Sequence, residues 1–320
     1  MTDTKLNLST LAPVAVYTYT RYEHFVQTIE ALKRNFLAQH SVLYVVSDGP
    51  SIDAHKADVG RIRDYVDGLT GFREVVRIYR DKNLGLKQSI PLAEKAIISD
   101  HGKIISMEDD NISSTNYLDF INGGLQHFQD DDSVFSVSGY APPTGTAGAD
   151  AQGDFWFYPW SISWGYGVWK SRYERMLPLV NRYATLRKNG ALSAQNRHGG
   201  LYVSDSLKRD HDGKKYFPDA IIGTEMFLRG ERTVLPTVSK ILNIGQDGSG
   251  QSSDLLTNKY NVALDKSGKR NFDFANESPL AQAKRDAAIA FYNGSGLTRL
   301  ARRLGVFHEL SELRSKLLSK

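Results

Sequence analysis

The sequence contains no cysteine among its 320 residues. Disulfides, zinc–thiolate sites, iron–sulfur clusters and thiol nucleophiles are therefore excluded. No run of about 18 apolar residues is present, so the sequence predicts no membrane-spanning helix. The first residues, MTDTKLNLSTLAP, lack an apolar stretch preceded by basic residues, and we expect no secretory signal. The absence of cysteine permits a reducing compartment, and we expect a cytoplasmic protein.

Several catalytic motifs are also missing. The chain has no P-loop, no dinucleotide-binding glycine fingerprint and no His-Glu-x-x-His motif. Its eight histidines show no metal-ligand spacing. Ser113 and Ser114 lack the glycines of a nucleophile elbow, so hydrolase chemistry has little support.

The net charge of +4 is concentrated near the C-terminal end of the chain. Residues 284–320 hold eight Lys or Arg and three acidic residues, a net of +5, which leaves residues 1–283 at about −1. A protein that binds nucleic acid usually carries its basic residues across the recognition domain. The charge distribution therefore predicts no nucleic-acid partner.

Strand-like and helix-like segments alternate in the first half of the chain. The strand-like segments are VAVYTYT, VLYVVSDG, VVRIYR and KIISMEDD, and apolar residues recur at helical spacing in EHFVQTIEALKRNF and LKQSIPLAEKAIIS. This alternation predicts an α/β fold with a Rossmann-like, mostly parallel sheet flanked by helices. From about residue 279 the pattern predicts a helical C-terminal tail.

Polar residues follow these strands at the point where each one ends. They are Arg21, Asp48, Arg80 to Asn83, and the triplet Glu108-Asp109-Asp110. In parallel sheets, ligands bind beyond the carboxyl ends of the strands. The pattern is therefore that of a nucleotide pocket.

The acidic triplet that follows the fourth strand has two interpretations. Adjacent acids repel one another unless a cation or hydrogen-bond donors offset their charge, and Mn²⁺ or Mg²⁺ bound by carboxylates and substrate phosphates would do so. Alternatively, Asp110 or Asn111 caps the following helix. A second acidic run, Asp130-Asp131-Asp132, lies between a helix and a strand, and we interpret it as a solvated loop.

Seven segments, taken in order, resemble those of bacterial sugar transferases with the GT-A fold. They are VAVYTYTRYEHFVQTIEALKRN, LYVVSDG, YRDKNLGLKQSI, KIISMEDDNISSTNYLDFIN, VSGY, SISWGYGVWKSRYERM and VLPTVSKILNIG. These segments are similar to family 2 glycosyltransferases and to the catalytic domain of N-acetylglucosaminyltransferase I. The resemblance covers residues 13 to 250, about three quarters of the chain.

The resemblance implies a nucleotide pocket in the first half of the chain. Asp48 matches the aspartate that pairs with the uracil of a UDP-sugar, and Arg21 matches a basic residue beside the nucleotide. The stretch from Arg80 through Asn83 to Lys87 matches the segment that closes over the base and the phosphates.

The acidic triplet matches the Glu-Asp-Asp form of the family's metal motif. The resemblance implies that Asp110 contacts Mn²⁺ or Mg²⁺ directly, that Asp109 lies at the nucleotide and that Glu108 lies at the sugar. Such a metal would neutralise the diphosphate as it leaves.

The resemblance places the catalytic base in the second half of the chain. In the family an aspartate lies thirteen residues before the strand that begins here at Arg232, and an ungapped count gives Asp219. Glu225, further along the same predicted helix, is the alternative base. A purely structural interpretation of either acid stays open, because the helix macrodipole favours negative charge near a helix N-terminus.

An aromatic block at 155–176 holds all four tryptophans. We expect Trp160, Trp164, Gly165 and Tyr166 to shape the sugar and acceptor site, because aromatic faces stack on sugar C–H groups and glycine admits close approach. The remaining two tryptophans are expected in the core.

The predicted organisation is a GT-A catalytic domain at 1–255 and a mainly helical C-terminal extension at 256–320. The catalytic domain divides into a nucleotide-sugar half at 13–112 and an acceptor half at 113–255. The Gly- and Ser-rich loop at 246–254 matches a mobile loop that orders over the donor in the family.

The expected function is that of an inverting, metal-dependent glycosyltransferase. It would move a hexosyl or N-acetylhexosaminyl group from a UDP-sugar to a hydroxyl of a saccharide, free or lipid-linked, in bacterial surface glycan synthesis. One alternative is a sugar-nucleotide nucleotidyltransferase, although the chain lacks a glycine-rich activating loop after its first strand. The other is a non-catalytic carbohydrate-binding or scaffold protein on a degenerate transferase fold.

The segment 297–320 carries an apolar stripe with basic residues beside it. The stripe consists of Leu297, Leu300, Leu304, Phe307, Leu310, Leu313 and Leu317, at helical spacing. One interpretation is that it packs on the catalytic domain or mediates self-association. The other is an interfacial helix that docks on the inner face of an anionic cytoplasmic membrane.

Overall fold

The computed structural model describes residues 6–144, 152–247, 259–307 and 310. The strands in these ranges are β1 (Val14–Thr18), β2 (Val42–Ser47), β3 (Glu74–Tyr79), β4 (Lys103–Glu108), β5 (Asn111–Ser113), β6 (Val134–Ser138), β7 (Phe155–Tyr158), β8 (Tyr166–Trp169), β9 (Arg232–Pro236) and β10 (Ile241–Asn243).

The helices of the described ranges connect and cover these strands. They are α1 (Tyr22–Lys33), α2 (Lys56–Asp67), α3 (Leu86–His101), α4 (Tyr117–His127), α5 (Lys170–Arg175), α6 (Tyr183–Lys188), α7 (Leu192–Gly199), α8 (Leu201–His211), α9 (Pro218–Arg229), α10 (Ala281–Asn293) and α11 (Gly296–Leu304). Short 3-10 helices cover Leu8–Thr10, Ala38–His40 and Asp53–His55.

Eight of the strands form one central sheet in the order β3-β2-β1-β4-β8-β6-β9-β7. β3, β2, β1 and β4 pair in parallel, as do β6 and β9. β8 runs antiparallel between β4 and β6, and β7 pairs antiparallel with β9. The prediction of an α/β fold with a mostly parallel central sheet flanked by helices is confirmed.

Each face of the sheet has its own buried apolar cluster. In β1, Val14 and Val16 belong to the cluster under α1, whereas Ala15 and Tyr17 belong to the cluster under α3. Successive side chains of a strand point to opposite faces, so a strand covered on both faces is apolar throughout. This double burial explains why β1 shows no polar alternation.

Two tryptophans of the aromatic block lie in the core, as predicted. Trp156 and Trp169 are buried, and each indole N–H has a partner: Trp156 Nε1 donates to the carbonyl of Pro236 and Trp169 Nε1 to that of Leu125, both at 3.1 Å. Burying an indole is favourable only when its single donor is satisfied.

The chain beyond residue 259 folds back on the sheet. Lys240 and Asp265 form a buried ion pair, and Phe274 packs in the main core cluster. The predicted division at residue 255 falls within 248–258, outside the described residues. Of the helices that the structure describes, none is long and apolar enough to cross a membrane.

The C-terminal stripe corrects one sequence-based interpretation. Leu297, Leu300 and Leu304 are exposed, so they do not pack on the catalytic domain. α11 instead contacts α8 through its polar side. Leu313 and Leu317 lie outside the described residues.

Candidate active site

The carboxyl ends of β1 to β4 lie together at one edge of the sheet. The structure brings the predicted pocket residues to this edge: Arg21 after β1, Asp48 after β2, Arg80 after β3 and Glu108 at the end of β4. The parallel pairing of these four strands is the reason that residues far apart in the sequence become neighbours.

Asp48 is buried, and its carboxylate binds the chain that follows β3. Oδ1 accepts hydrogen bonds from the N–H groups of Gly49 and Leu84, both at 3.0 Å. Oδ2 accepts from the N–H of Gly85 at 2.8 Å and from the side chain of Asn83 at 3.2 Å. Since two donors already satisfy each oxygen, Asp48 would have to exchange one of these bonds to contact a nucleobase.

Arg63, on α2, ties the ends of β2 and β3 together. Its Nη2 donates to the carbonyl of Arg80 at 2.7 Å and to that of Asp48 at 3.4 Å, and its Nε donates to the hydroxyl of Ser47 at 3.2 Å. Arg63 was not predicted from the sequence, because an arginine on an amphipathic helix gives no local signal of such a role.

Lys87 contacts the chain just before α9. It lies in the first turn of α3, and its Nζ is 4.4 Å from the centre of the Tyr216 ring, just before α9. Burial raises the pKa of Tyr216, as do the negative charges of Asp210 and Asp219. We call the region between the end of β3 and the start of α9 the cleft.

Arg21 bridges the last two acids of the triplet. Its Nη2 is paired with Asp109 and lies 2.9 Å from Oδ2 of Asp110. Thr18 donates to the Asp109 carboxylate at 3.3 Å, and Thr28 donates to its carbonyl at 2.8 Å. Burial raises the pKa of Asp109 to about 6, while the charge of Arg21 acts in the opposite direction. Arg21 thus supplies part of the positive charge that adjacent acids require.

The helix-cap interpretation of the triplet is wrong. α4 begins only at Tyr117, and its N-cap residue is Asn116. Asp110 is followed instead by β5, which pairs antiparallel with β10 in a separate two-stranded ribbon. The triplet therefore marks the passage from the central sheet into this ribbon.

Asp110 is held in place by the ribbon through its side-chain carboxylate. The side-chain amides of Asn111 and Asn243 donate to its Oδ1, each at 2.7 Å. A Cβ at position 245 would come within 2.0 Å of Oδ2, so only a glycine there lets the carboxylate lie against the backbone.

The residues around Asp110 fit one kind of metal site and not another. Within the described ranges, no group of three or more His, Cys, Asp or Glu side chains could hold a metal ion. A hard divalent ion bound by one or two carboxylates and completed by substrate phosphates agrees with this donor set. A cage built from the described protein side chains alone does not.

Asp219 lies in the first turn of α9, directly after Pro218. Its carboxylate accepts a hydrogen bond from the hydroxyl of Ser163 at 3.3 Å. The side chain is open to solvent in the cleft, yet the surrounding protein displaces enough water to raise its pKa to about 6. Burial, and then the negative charges of Asp110 and Asp219, hold the pKa of Glu108 well above its usual range. The structure thus brings the predicted base to the end of β4.

Glu225, the alternative base, has other partners. Its Oε1 accepts a hydrogen bond from Nε of Arg182 at 2.7 Å, and its Oε2 lies 3.9 Å from Nη2 of Arg229. The side chain is buried, and these contacts are those of a structural ion pair. The geometry therefore favours Asp219 as the acid that faces the cleft.

Trp160 does not fit the predicted sugar-stacking role. Its side chain is 1% exposed, and its indole fills the space left by Gly199 on α7 and Gly223 on α9. A Cβ at these positions would come within 2.6 and 2.1 Å of the indole. Trp160 is therefore a core residue that joins two helices.

Gly165 and Tyr166 make structural contacts at the start of β8. Gly165 has φ of +61°, and a Cβ there would lie 2.8 Å from the side chain of Ile241, so both backbone and packing require glycine. The hydroxyl of Tyr166 donates to the buried carboxyl of Glu94 on α3 at 3.2 Å. These contacts fix the strand next to β4.

Trp164 belongs to a partly exposed aromatic group that the sequence analysis missed. Its indole contacts the edge of Tyr140 at a centroid distance of 4.7 Å and that of Tyr260 at 5.5 Å. Tyr260 also contacts Phe291 on α10 at 5.6 Å. The group therefore joins a ring of the aromatic block to rings of the C-terminal extension.

Tyr202, on α8, extends this group toward the predicted base. Its ring stacks on that of Tyr292 at 5.1 Å. Burial, Tyr158 and then the negative charge of Asp219 hold the pKa of Tyr202 well above its usual range. Since these rings come from α8, α10 and the chain near residue 260, no local pattern could have identified the group.

The predicted donor loop at 246–254 is described only as far as Asp247. The carboxylate of Asp247 lies 3.0 Å from Nε2 of His24 on α1. Residues 248–254, with Ser249 and Ser252, lie outside the described residues.

Comparison with known proteins gives similarity in structure only. No protein-family model and no curated protein matches the chain. A mannosyltransferase from Pyrobaculum calidifontis, solved with GDP-Man and Mn²⁺, is 12% identical with a TM-score of 0.44, and the match covers 97% of this chain and 75% of that one. TarS of S. aureus is 10% identical with a TM-score of 0.39, over 74% of this chain and 37% of that one. Such low values establish neither a family nor a substrate.

Proposed function

We propose that the chain is an inverting glycosyltransferase that moves a sugar from a UDP-sugar to a hydroxyl of a saccharide. The observation that carries this proposal is the position of Asp219, which α9 brings to the acidic end of β4 with a pKa of about 6. A carboxylate with this pKa is ionised at neutral pH and is a stronger base than an ordinary aspartate.

In the proposed reaction, Asp219 takes the proton of the acceptor hydroxyl. The hydroxyl oxygen bonds to the anomeric carbon while the bond between that carbon and the diphosphate oxygen breaks, so the configuration inverts. Glu108 lies at the sugar, and Trp164 with Tyr260 offers aromatic faces to the acceptor.

On the donor side, the nucleotide would be bound by Arg21, Asp48, Arg80, Asn83, Lys87 and Asp109. In this assignment Asp48 acts through the segment whose N–H groups it binds, rather than as a free carboxylate. Asp110 would hold Mn²⁺ or Mg²⁺ together with the donor phosphates, and that ion would supply positive charge for the departing diphosphate.

One observation favours a non-catalytic alternative. The carboxylates of Asp48 and Asp110 already have protein partners on both oxygens. On a degenerate transferase fold, such residues would be structural, and the cleft would bind a carbohydrate without transferring it.

Thermal unfolding with nucleotide sugars separates the two functions. We expect one UDP-sugar with Mn²⁺ to raise the melting temperature more than the same sugar on other nucleotides, because ligand at a hundred times its Kd stabilises by about 2.7 kcal/mol. If no nucleotide sugar shifts the melting temperature while free saccharides do, the transferase proposal is wrong.

For its place in the cell, we propose a cytoplasmic protein that acts at the inner face of the membrane on a lipid-linked saccharide in bacterial surface glycan synthesis. The support is the exposed apolar stripe of α11.

A further inference from the structure

α11 presents an apolar face to solvent. Leu297, Leu300 and Leu304, here called the leucine face, are 81%, 52% and 67% exposed. At about 100° per residue, these three side chains fall within one narrow sector of the helix. Val306 and Leu310, just beyond the helix, are also exposed. A surface helix normally buries such a stripe.

The opposite side of α11 is fixed to the protein by charge. Nη1 of Arg302 lies 2.6 Å from the carboxylate of Asp205 on α8, and both side chains are largely buried. The guanidinium of Arg302 also lies 4.1 Å from the centre of the Phe307 ring. The orientation of the helix is therefore set by an inward ion pair, and the leucines are left facing outward.

The exposed charge on α11 is entirely positive. The helix contains no acidic residue, and Arg299 and Arg303, one turn apart along one side of the leucine face, are both exposed. A second copy of the chain would bring the same arginines to a symmetric contact, with no acid from α11 to pair with them. A negatively charged partner with an apolar interior would bury the leucines and pair with the arginines.

We propose that the leucine face docks on an anionic lipid bilayer. The leucines would enter the boundary between headgroups and acyl chains, and Arg299 and Arg303 would contact anionic headgroups. A short apolar face with two cations gives reversible attachment that salt weakens.

The position of α11 has a consequence for the acceptor, which rests on the proposed function. α8 carries both Asp205, which holds α11, and Tyr202, whose pKa responds to the charge of Asp219. A bilayer on α11 would therefore lie on the side of the cleft where α8 approaches the base. A saccharide held by a lipid in that bilayer could reach Asp219 from this side.

Co-sedimentation of the full chain with vesicles tests the docking directly. We expect binding to phosphatidylcholine vesicles that contain a quarter phosphatidylglycerol, and much weaker binding to pure phosphatidylcholine or at high salt. The variant Leu297→Gln, Leu300→Gln, Leu304→Gln should bind at least about tenfold more weakly. Arg299→Gln with Arg303→Gln should lose the preference for anionic vesicles.

A matched control removes equally exposed leucines elsewhere. Leu92→Gln with Leu228→Gln changes side chains that are 53% and 50% exposed, and this variant should bind vesicles like the wild type. Far-UV circular dichroism checks that each variant is folded. No nucleotide sugar is present, so the result is independent of whether the chain transfers a sugar.

Two results would overturn the docking proposal. One is wild-type protein that stays in the supernatant with anionic vesicles at low salt. The other is equal vesicle binding by the wild type and the leucine variant. Sedimentation velocity without lipid tests whether a second copy of the chain covers the leucine face instead. If the wild type is a dimer and the leucine variant is not, the face belongs to a dimer interface, and membrane docking is contradicted.

Discussion

Asp219, at the start of α9, lies close enough to Glu108, at the end of β4, for its charge to raise the pKa of that glutamate. Burial is the largest cause of the raised pKa of Glu108, followed by Asp110 and then Asp219. Of two neighbouring carboxyls, the more deeply buried one favours its protonated form when the other ionises. The arrangement thus leaves Asp219 as the acid that is free to accept a proton near neutral pH.

The first prediction is an acid limb in the pH dependence of the reaction. Protonated Asp219 cannot accept a proton from the acceptor, so kcat/KM should fall as the pH drops through about 6. The measurement is UDP release over a pH series with the matched nucleotide sugar and acceptor. A rate that stays constant from pH 7 down to about 5 would exclude Asp219 as the base.

Asp48→Ala should weaken the binding of all nucleotide sugars rather than change the preferred base. The variant leaves the N–H groups of Leu84 and Gly85 without their acceptor, which should lower stability by about 1–3 kcal/mol. Urea unfolding measures the stability, and titration with UDP, GDP and CDP measures the preference. A selective loss of UDP binding would show that Asp48 contacts the base directly.

Asp110→Asn should abolish the stabilisation that Mn²⁺ adds in the presence of UDP. The substitution removes the negative charge beside Gly245 that would hold the ion. The readout is the difference in melting temperature with and without Mn²⁺, which is insensitive to a uniform loss of stability. Asp130→Asn, an exposed acid of the second acidic run, is the control. An equal Mn²⁺ effect in both variants would place the metal elsewhere.

Trp160→Ala should lower stability by about 3–5 kcal/mol without changing donor affinity in the protein that remains folded. The reason is the cavity that would open against Gly199 and Gly223. Urea unfolding gives the stability, and Trp164→Ala, which truncates a partly exposed ring, should cost less. A stable Trp160→Ala variant with impaired sugar binding would restore the stacking role.

The sequence was sufficient to predict the parallel half of the sheet and the acidic edge of the site. Strands β1, β2 and β4 are largely buried on both faces and mostly apolar, and polar residues follow or end each of them. Their order in the chain and right-handed crossovers then bring Arg21, Asp48 and Glu108 to one edge. Local pattern and topology suffice for this part of the site.

Other features depend on contacts that no local pattern records. Trp160 is buried because glycines on two later helices leave room for its indole, and nothing near position 160 indicates this. The aromatic group of Trp164, Tyr202 and Tyr260 joins three distant segments. The leucine face points outward because the Arg302–Asp205 pair holds the opposite side of α11 against α8. A helical repeat in the sequence does not show which side of the helix faces the protein.

The rate of sugar transfer by Asp219→Asn tests whether Asp219 is the catalytic base. We expect kcat to fall about 10²–10⁴-fold with unchanged donor affinity. Two controls should keep their rates: Glu225→Gln, and Asp100→Asn, which changes an exposed acid at the far end of α3. Since the folded-state pKa of Asp219 is above the value of about 3.9 in unfolded chains, its ionisation opposes folding as the pH rises from about 4 to 6. Asp219→Asn should therefore be no less stable than the wild type at pH 7. A stable Asp219→Asn variant with full transfer activity would show that Asp219 is not the base.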